Sequence, residues 1–202
     1  MNYIGIDVGL TGSISIISQN FLDVNILKMP TIEINDSAYK NWYDISKLKE
    51  IFSKYENSSV VLEYQRPMPG QDVASIFRLG RGFGVLESLI NVYYTKINIV
   101  DPKKWQNYLT KKYLTNSEQI ILNNKDPLTY LELANNINSP ERFIKLCNAK
   151  NPKISKIKSY YIYKKLNYGQ LTIPELTDHN LIDSLLISYY CKDLYSTSVF
   201  KL

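Results

Sequence analysis

Residues 1–18 read MNYIGIDVGLTGSISIIS, and their pattern decides the fold. Tyr3, Ile4 and Ile6 lead into Asp7-Val8-Gly9, and after Thr11-Gly12 the chain turns apolar again at Ile14, Ile16 and Ile17. Two β-branched runs broken by Gly-containing residues predict two strands joined by a tight turn. Asp7 then ends a first, buried strand. A carboxylate buried there is costly unless it is paired or holds a metal. The other reading is a turn aspartate bonded to its own backbone.

Working outward, a third strand is expected from Leu22 to Met29, stopped by Pro30, completing an antiparallel meander. Thr31 to Asn41 is polar and reads as irregular. Ile45 to Tyr55 carries Ile45, Leu48, Ile51 and Phe52 at helical spacing, with Asp44 placed to cap it. Ser59 to Glu63, SVVLE, is a short strand ending on a second carboxylate. A strand that follows a helix is expected parallel to the first strand. Asp7 and Glu63 would then sit at the carboxyl ends of neighbouring strands, where open α/β sheets hold ligands. Two such acids repel unless a cation lies between them or one is protonated.

Tyr64 to Gln71 holds two prolines and a glycine and reads as a stiff loop. A long helix is expected from Asp72 to Val92, with Val73, Ile76, Gly80, Phe83, Leu86 and Ile90 on one face. Gly80, Gly82 and Gly84 each weaken it by about 1 kcal/mol relative to Ala, so they need close packing or a close ligand. Their G-x-G-x-G spacing invites a phosphate-loop reading, which is disfavoured because no strand directly precedes it. Arg78 and Arg81 either meet phosphates or lie solvated. Lys96 to Val100 is the fifth strand, and a short helix starts at Asp101-Pro102 and runs to Leu109. Residues 111–152 change character, with breakers at Pro127, Pro140 and Pro152, and read as an insertion of two or three short helices. Ile154 to Leu166 is a helix rich in Lys and Tyr, either a solvated basic face or a surface for nucleic-acid backbone.

In Thr177 to Ile187, Asp178 is placed to cap a helix and Asp183 lies inside an apolar run. An interior aspartate of this kind must meet charge elsewhere in the fold. His179 is the single histidine. Residues after Lys192 read as a tail.

A chain of 202 residues with 45% hydrophobic and 21% charged residues is globular in composition, enough for one domain over 1–202 with an insertion. The net charge of +5 favours a polyanionic partner. Two cysteines, Cys147 and Cys191, make neither a disulfide framework nor a zinc site. No apolar run reaches membrane length and no signal-peptide pattern opens the chain, so a soluble, intracellular and non-secreted protein is expected.

Four segments together resemble the RuvC-like Holliday junction resolvases, especially their phage, poxvirus and organellar branches. They are GIDVGLTGSIS at 5–15, VVLEYQRPMPGQDVASIFRLGRGFG at 60–84, DPKKW at 101–105 and DHNLIDSLLIS at 178–188. The resemblance covers about three quarters of the chain and lapses over the insertion. The first segment alone is shared with sugar kinases and actin-like ATPases, which makes an ATPase of that class the rival reading. What the resemblance implies is an RNase H-like fold, with strands 1–3 antiparallel and 1, 4 and 5 parallel. It also implies a homodimeric, metal-dependent endonuclease that cuts four-way or other branched DNA, from a bacterial cytoplasm, a virus or an organelle. Carried over by residue, Asp7, Glu63 and Asp183 match the family's acids. For the fourth ligand Asp178 is favoured, with His179 as the second choice and Asn180 at the remaining offset. Lys156 matches the family's lysine, with Lys158 close by. The acids imply two Mg2+ ions, with Mn2+ also supporting activity. Gln65, Arg66, Met68 and Gln71 are expected at the junction centre, and Arg78, Arg81, Lys103, Lys104 and Lys158 on DNA phosphates.

Overall fold

A computed structural model of the chain describes residues 1–34, 40–123, 154–167, 176 and 178–196. The strands are β1 (Asn2–Asp7), β2 (Ser13–Ser18), β3 (Val24–Lys28), β4 (Thr31–Glu33), β5 (Asn41–Tyr43), β6 (Ser58–Glu63) and β7 (Lys96–Val100). The helices are α1 (Ile45–Lys54), α2 (Val73–Tyr93), α3 (Pro102–Tyr113), α4 (Asn116–Asn123), α5 (Ile154–Asn167) and α6 (His179–Ser196).

Five strands form one mixed sheet in the order β3-β2-β1-β6-β7. β1, β2 and β3 pair antiparallel, while β6 joins β1 and β7 joins β6 in parallel. Strand numbering departs from the expected count. The segment read as irregular contains β4 and begins β5, which pair with each other outside the main sheet, so the sheet's last two strands are sixth and seventh in the chain. A polar three-residue strand carries too little periodicity to be seen in sequence.

The pleat sorts the sheet's side chains between two cores. Ile4, Ile6, Ile14, Ile16, Val60 and Leu62 face α1 and α2, packing with Leu48, Phe52, Leu86 and Ile90. Tyr3, Ile17 and Val61 face the other helices and join Trp105, Leu109, Ile157 and Leu185. Side chains alternate along a strand, so Gly5 and Asp7 share the face of Tyr3, and Ser59 and Glu63 share that of Val61. Both carboxylates therefore point to the side covered by α6.

α6 lies close to the sheet because the residues between them are small. A Cβ on Gly5 would come within 2.3 Å of Ser184 O and Ser188 N in the α6 backbone. Ser13, Ser15 and Ser59 are buried on the same side, and the Cys191 thiol donates to Ser59 O at 3.2 Å.

Several boundaries differ from the sequence reading. Leu22 is exposed and β3 begins only at Val24. Ile45 is exposed, so α1 buries Leu48, Ile51 and Phe52 without it. Val73 and Phe77 are exposed, and the buried face of α2 begins at Gly82. α3 continues to Tyr113, and Leu114 and Leu122 join the same core as α5. The expected insertion is thus part of the core as far as residue 123; its remainder lies outside the described residues. α5 is not a solvated basic face. Ile157 and the run from Ser159 to Tyr163 are buried, because α5 is sandwiched among α3, α4 and α6. The expected tail after Lys192 is helical to Ser196, with Leu194 and Tyr195 against the core.

Candidate active site

The turn after β1 shapes the site's rim. Gly12 N donates to Gly9 O at 3.0 Å. A Cβ on Gly12 would stand 2.1 Å from Asp7 O, so only glycine lets the chain fold back over the end of β1. α6 is tied to this turn from the other side. Asn180 Nδ2 donates to Thr11 O at 2.6 Å, and Ser13 Oγ donates to Asn180 O at 2.5 Å. The helix start is therefore held at the carboxyl end of β1, and Asp183 follows three residues later.

Asp7, Glu63 and Asp183 come together there from three separate elements. The register that sets Ile6 opposite Leu62 makes Asp7 and Glu63 neighbours across the β1–β6 pair. Burial raises the proton affinity of Asp7 well above the ordinary carboxylate range, and the Glu63 and Asp183 charges raise it further. The Asp7 and Glu63 side chains lie within hydrogen-bonding reach of each other, which raises Asp7 and holds Glu63 down. Burial also pushes Glu63 up, partly offset by its hydrogen bonds. Asp183 is pushed up to about 7, first by burial and then by the Glu63 charge, against a hydrogen bond from Ser159 and the charge of Lys156. Its Oδ1 is buried without a hydrogen-bond partner.

Glu63 is held in place by two donors. Trp105 Nε1 donates to its Oε1 at 2.8 Å, and Gln65 Nε2 donates to its Oε2 at 3.2 Å. Sequence reasoning missed Trp105 in this role. The signal was its place in DPKKW, since an indole is donor-only and needs an acceptor when buried.

Lys156 reaches the acids from α5, and its charge lowers the proton affinity of both Asp7 and Asp183. Its Nζ also contacts His179 Nε2. His179 precedes Asp183 by four residues and so shares its face of α6. Asp178 uses Oδ1 to accept Asn180 N at 3.1 Å, which is the capping role read from sequence. Asn180, at the remaining offset, is engaged with the turn.

The expected DNA-contacting residues divide. Gln65 turns inward to Glu63. Arg66 Nη2 pairs with Asp101 Oδ2 at 2.5 Å and lies over the Tyr64 ring at 5.8 Å. Met68 is exposed, and its N donates to Gln71 Oε1 at 2.7 Å. Arg78 Nη2 donates to Ser75 Oγ at 3.1 Å, and Arg81 lies 4.5 Å over the Trp42 ring. Lys103 and Lys104 are exposed at the start of α3. Lys158 points away from Lys156, donating to Asn123 Oδ1 at 2.7 Å, as a two-residue step along a helix requires.

Three carboxylates, all oxygen donors, suit a hard divalent cation. No group of three His, Cys, Asp or Glu among the described residues stands ready-made for a metal. Burial and their mutual charge raise the proton affinity of these carboxyl groups, and the Asp183 Oδ1 is an acceptor without a hydrogen-bond partner. No family model matches the chain, and a search of curated proteins finds no match. No helix among the described residues is long and apolar enough to cross a membrane.

Proposed function

We propose that the chain is a metal-dependent endonuclease of the RuvC-like type, with an RNase H-like fold, that nicks four-way DNA junctions as a homodimer. The observation that carries this reading is the convergence of Asp7, Glu63 and Asp183, from two neighbouring strand ends and a crossing helix, with Lys156 beside them. The sheet order, three antiparallel strands extended by two parallel ones, supports the fold. A net charge of +5 supports a polyanionic substrate.

Asp7, Glu63 and Asp183 would hold the divalent cations, Mg2+ or Mn2+, with Asp178 or His179 as a further ligand. Bound cations would supply the charge that activates water near neutral pH and offsets the developing charge on the leaving oxygen. The protein's own groups set the geometry. Trp105 and Gln65 orient Glu63, Asn180 and Ser13 fix the start of α6 against the turn, and Lys156 carries positive charge to the place where a phosphate would sit.

The test is cleavage of a labelled four-way junction beside a linear duplex of the same sequence. It is run with Mg2+, with Mn2+ and with chelator, for the native chain and Glu63→Gln. Paired, symmetric nicks that need metal and vanish in the variant are expected. Equal cutting of both substrates would remove the junction preference. Absence of cutting with every metal, together with ATP turnover, would sink the endonuclease reading in favour of the actin-like one.

A further inference from the structure

On the far side of the β1–β2 turn from α6 lies a cavity of about 670 Å³. One wall is the turn itself, Gly9 to Thr11, which follows Asp7 directly. The second is β5 with its preceding residue, Lys40 to Tyr43, and the third is the first half of α2, from which Ser75 and Arg78 face it. The floor is well defined. The Gly9 backbone N–H donates to the Tyr43 hydroxyl oxygen, and against that bond burial, with the nearby Asp7 charge, pushes this phenol up to about 12. A Cβ on Gly82 would stand 3.1 Å from the Tyr43 ring, so the glycine lets α2 close on it. That packing explains one of the three helix glycines.

The lining carries three chemistries at once. Trp42 offers an indole ring, edge-on to Tyr43 at 5.4 Å; the Arg81 guanidinium 4.5 Å over it lines the neighbouring cavity and not this one. Asn41 and Gln71, both amide residues, are in the lining, and Gln71 Oε1 accepts Met68 N at 2.7 Å. Lys40 and Arg78 carry positive charge. An aromatic ring takes a base by stacking, amides read base edges, and cations hold phosphate. The volume lies within the range of small-ligand sites.

We propose that this cavity receives one unstacked nucleotide of the DNA strand beside the cleaved phosphodiester. The base stacks on Trp42, its edge meets Asn41 or Gln71, and its phosphate lies against Lys40 and Arg78. This rests on the endonuclease reading, and it makes the cavity a determinant of where the strand is cut. A free nucleotide shares the same chemistry, and the experiment separates the two sources.

Tryptophan fluorescence is read in chelator for the native chain, Trp42→Phe and Arg78→Gln, using a 5′-phosphorylated thymidine trinucleotide or ATP as the added probe. Trp105, the other tryptophan, is fully buried and reports the background. Saturable quenching by the trinucleotide is expected. It should be lost in Trp42→Phe and need several-fold more trinucleotide in Arg78→Gln. In parallel, junctions carrying an abasic residue at each position around the cut are offered to the native chain, and cleavage should fall several-fold at one position. Quenching undiminished in Trp42→Phe, tighter binding of ATP than of the trinucleotide, or efficient cutting of every abasic junction would overturn the proposal while leaving the endonuclease reading intact. Failure of the native chain to cut any junction would overturn the reading beneath it.

Discussion

At Asp183, burial holds the carboxyl up to about 7, whereas in the unfolded chain it ionises in the ordinary range. Between these two values the folded protein keeps a proton that the unfolded chain has released. Raising the pH through this window therefore favours unfolding. In metal-free buffer the Tm is expected to fall as pH rises from the ordinary carboxylate range through about 7, and Asp183→Asn should flatten that fall. Mg2+ should raise the Tm more above this window than within it. Parallel slopes for both proteins, followed by differential scanning fluorimetry, would remove Asp183 as the cause. Trp105 gives a second prediction at this scale. Trp105→Phe keeps an aromatic ring but removes the donor to Glu63. If the chain is the metal-dependent endonuclease proposed, cleavage should drop by roughly 10- to 100-fold, the usual loss when a group that orients a metal ligand is removed. The circular dichroism spectrum should stay native.

At the scale of elements, the packing of α6 on β1 decides whether the acids meet. Gly5→Ala would drive a methyl into the α6 backbone at 2.3 Å, where no side chain can give way. Overpacking of this kind costs about 1–3 kcal/mol or more, and it should displace Asp183 and abolish cleavage together. α2 offers the contrast. A Cβ on Gly80 would meet nothing within 4 Å. Gly80→Ala should therefore raise stability by up to about 1 kcal/mol through helix propensity alone. Urea midpoints of the two variants should move in opposite directions, and a shared direction would mean that the helix–sheet packing is looser than described.

For the whole molecule, a net charge of +5 is spread over a surface on which several cations are already engaged. Arg66 pairs with Asp101, Lys112 with Asp193 and Lys165 with Glu118. Lys103 and Lys104 stand exposed beside the strand end that carries Glu63. Replacing both with Ala should weaken junction binding and lower the slope of log K against log salt by about 1 for each phosphate no longer neutralised. A slope unchanged by the double substitution would mean that these two lysines do not meet the substrate proposed for the chain.

The alternation in residues 1–18, the caps at Asp44 and Asp178 and the strand-end positions of Asp7 and Glu63 were legible from sequence, because pleat, turn and capping chemistry act within a few residues. The interior Asp183 was legible as an acid in need of a partner, since burying a charge alone is too costly. The β4–β5 pair, the burial of α5 and the length of α6 were not, because each depends on which distant surface covers it. Gln65, read as a DNA contact, turns to Glu63. Trp105 meets the same carboxylate from 42 positions along the chain, and Lys156 meets His179 across two helices. Local sequence determined which groups exist and at which end of which element they stand. Only the tertiary structure decided which of them meet, because the meeting depends on how closely α6 can approach a sheet floored by Gly5 and small serines.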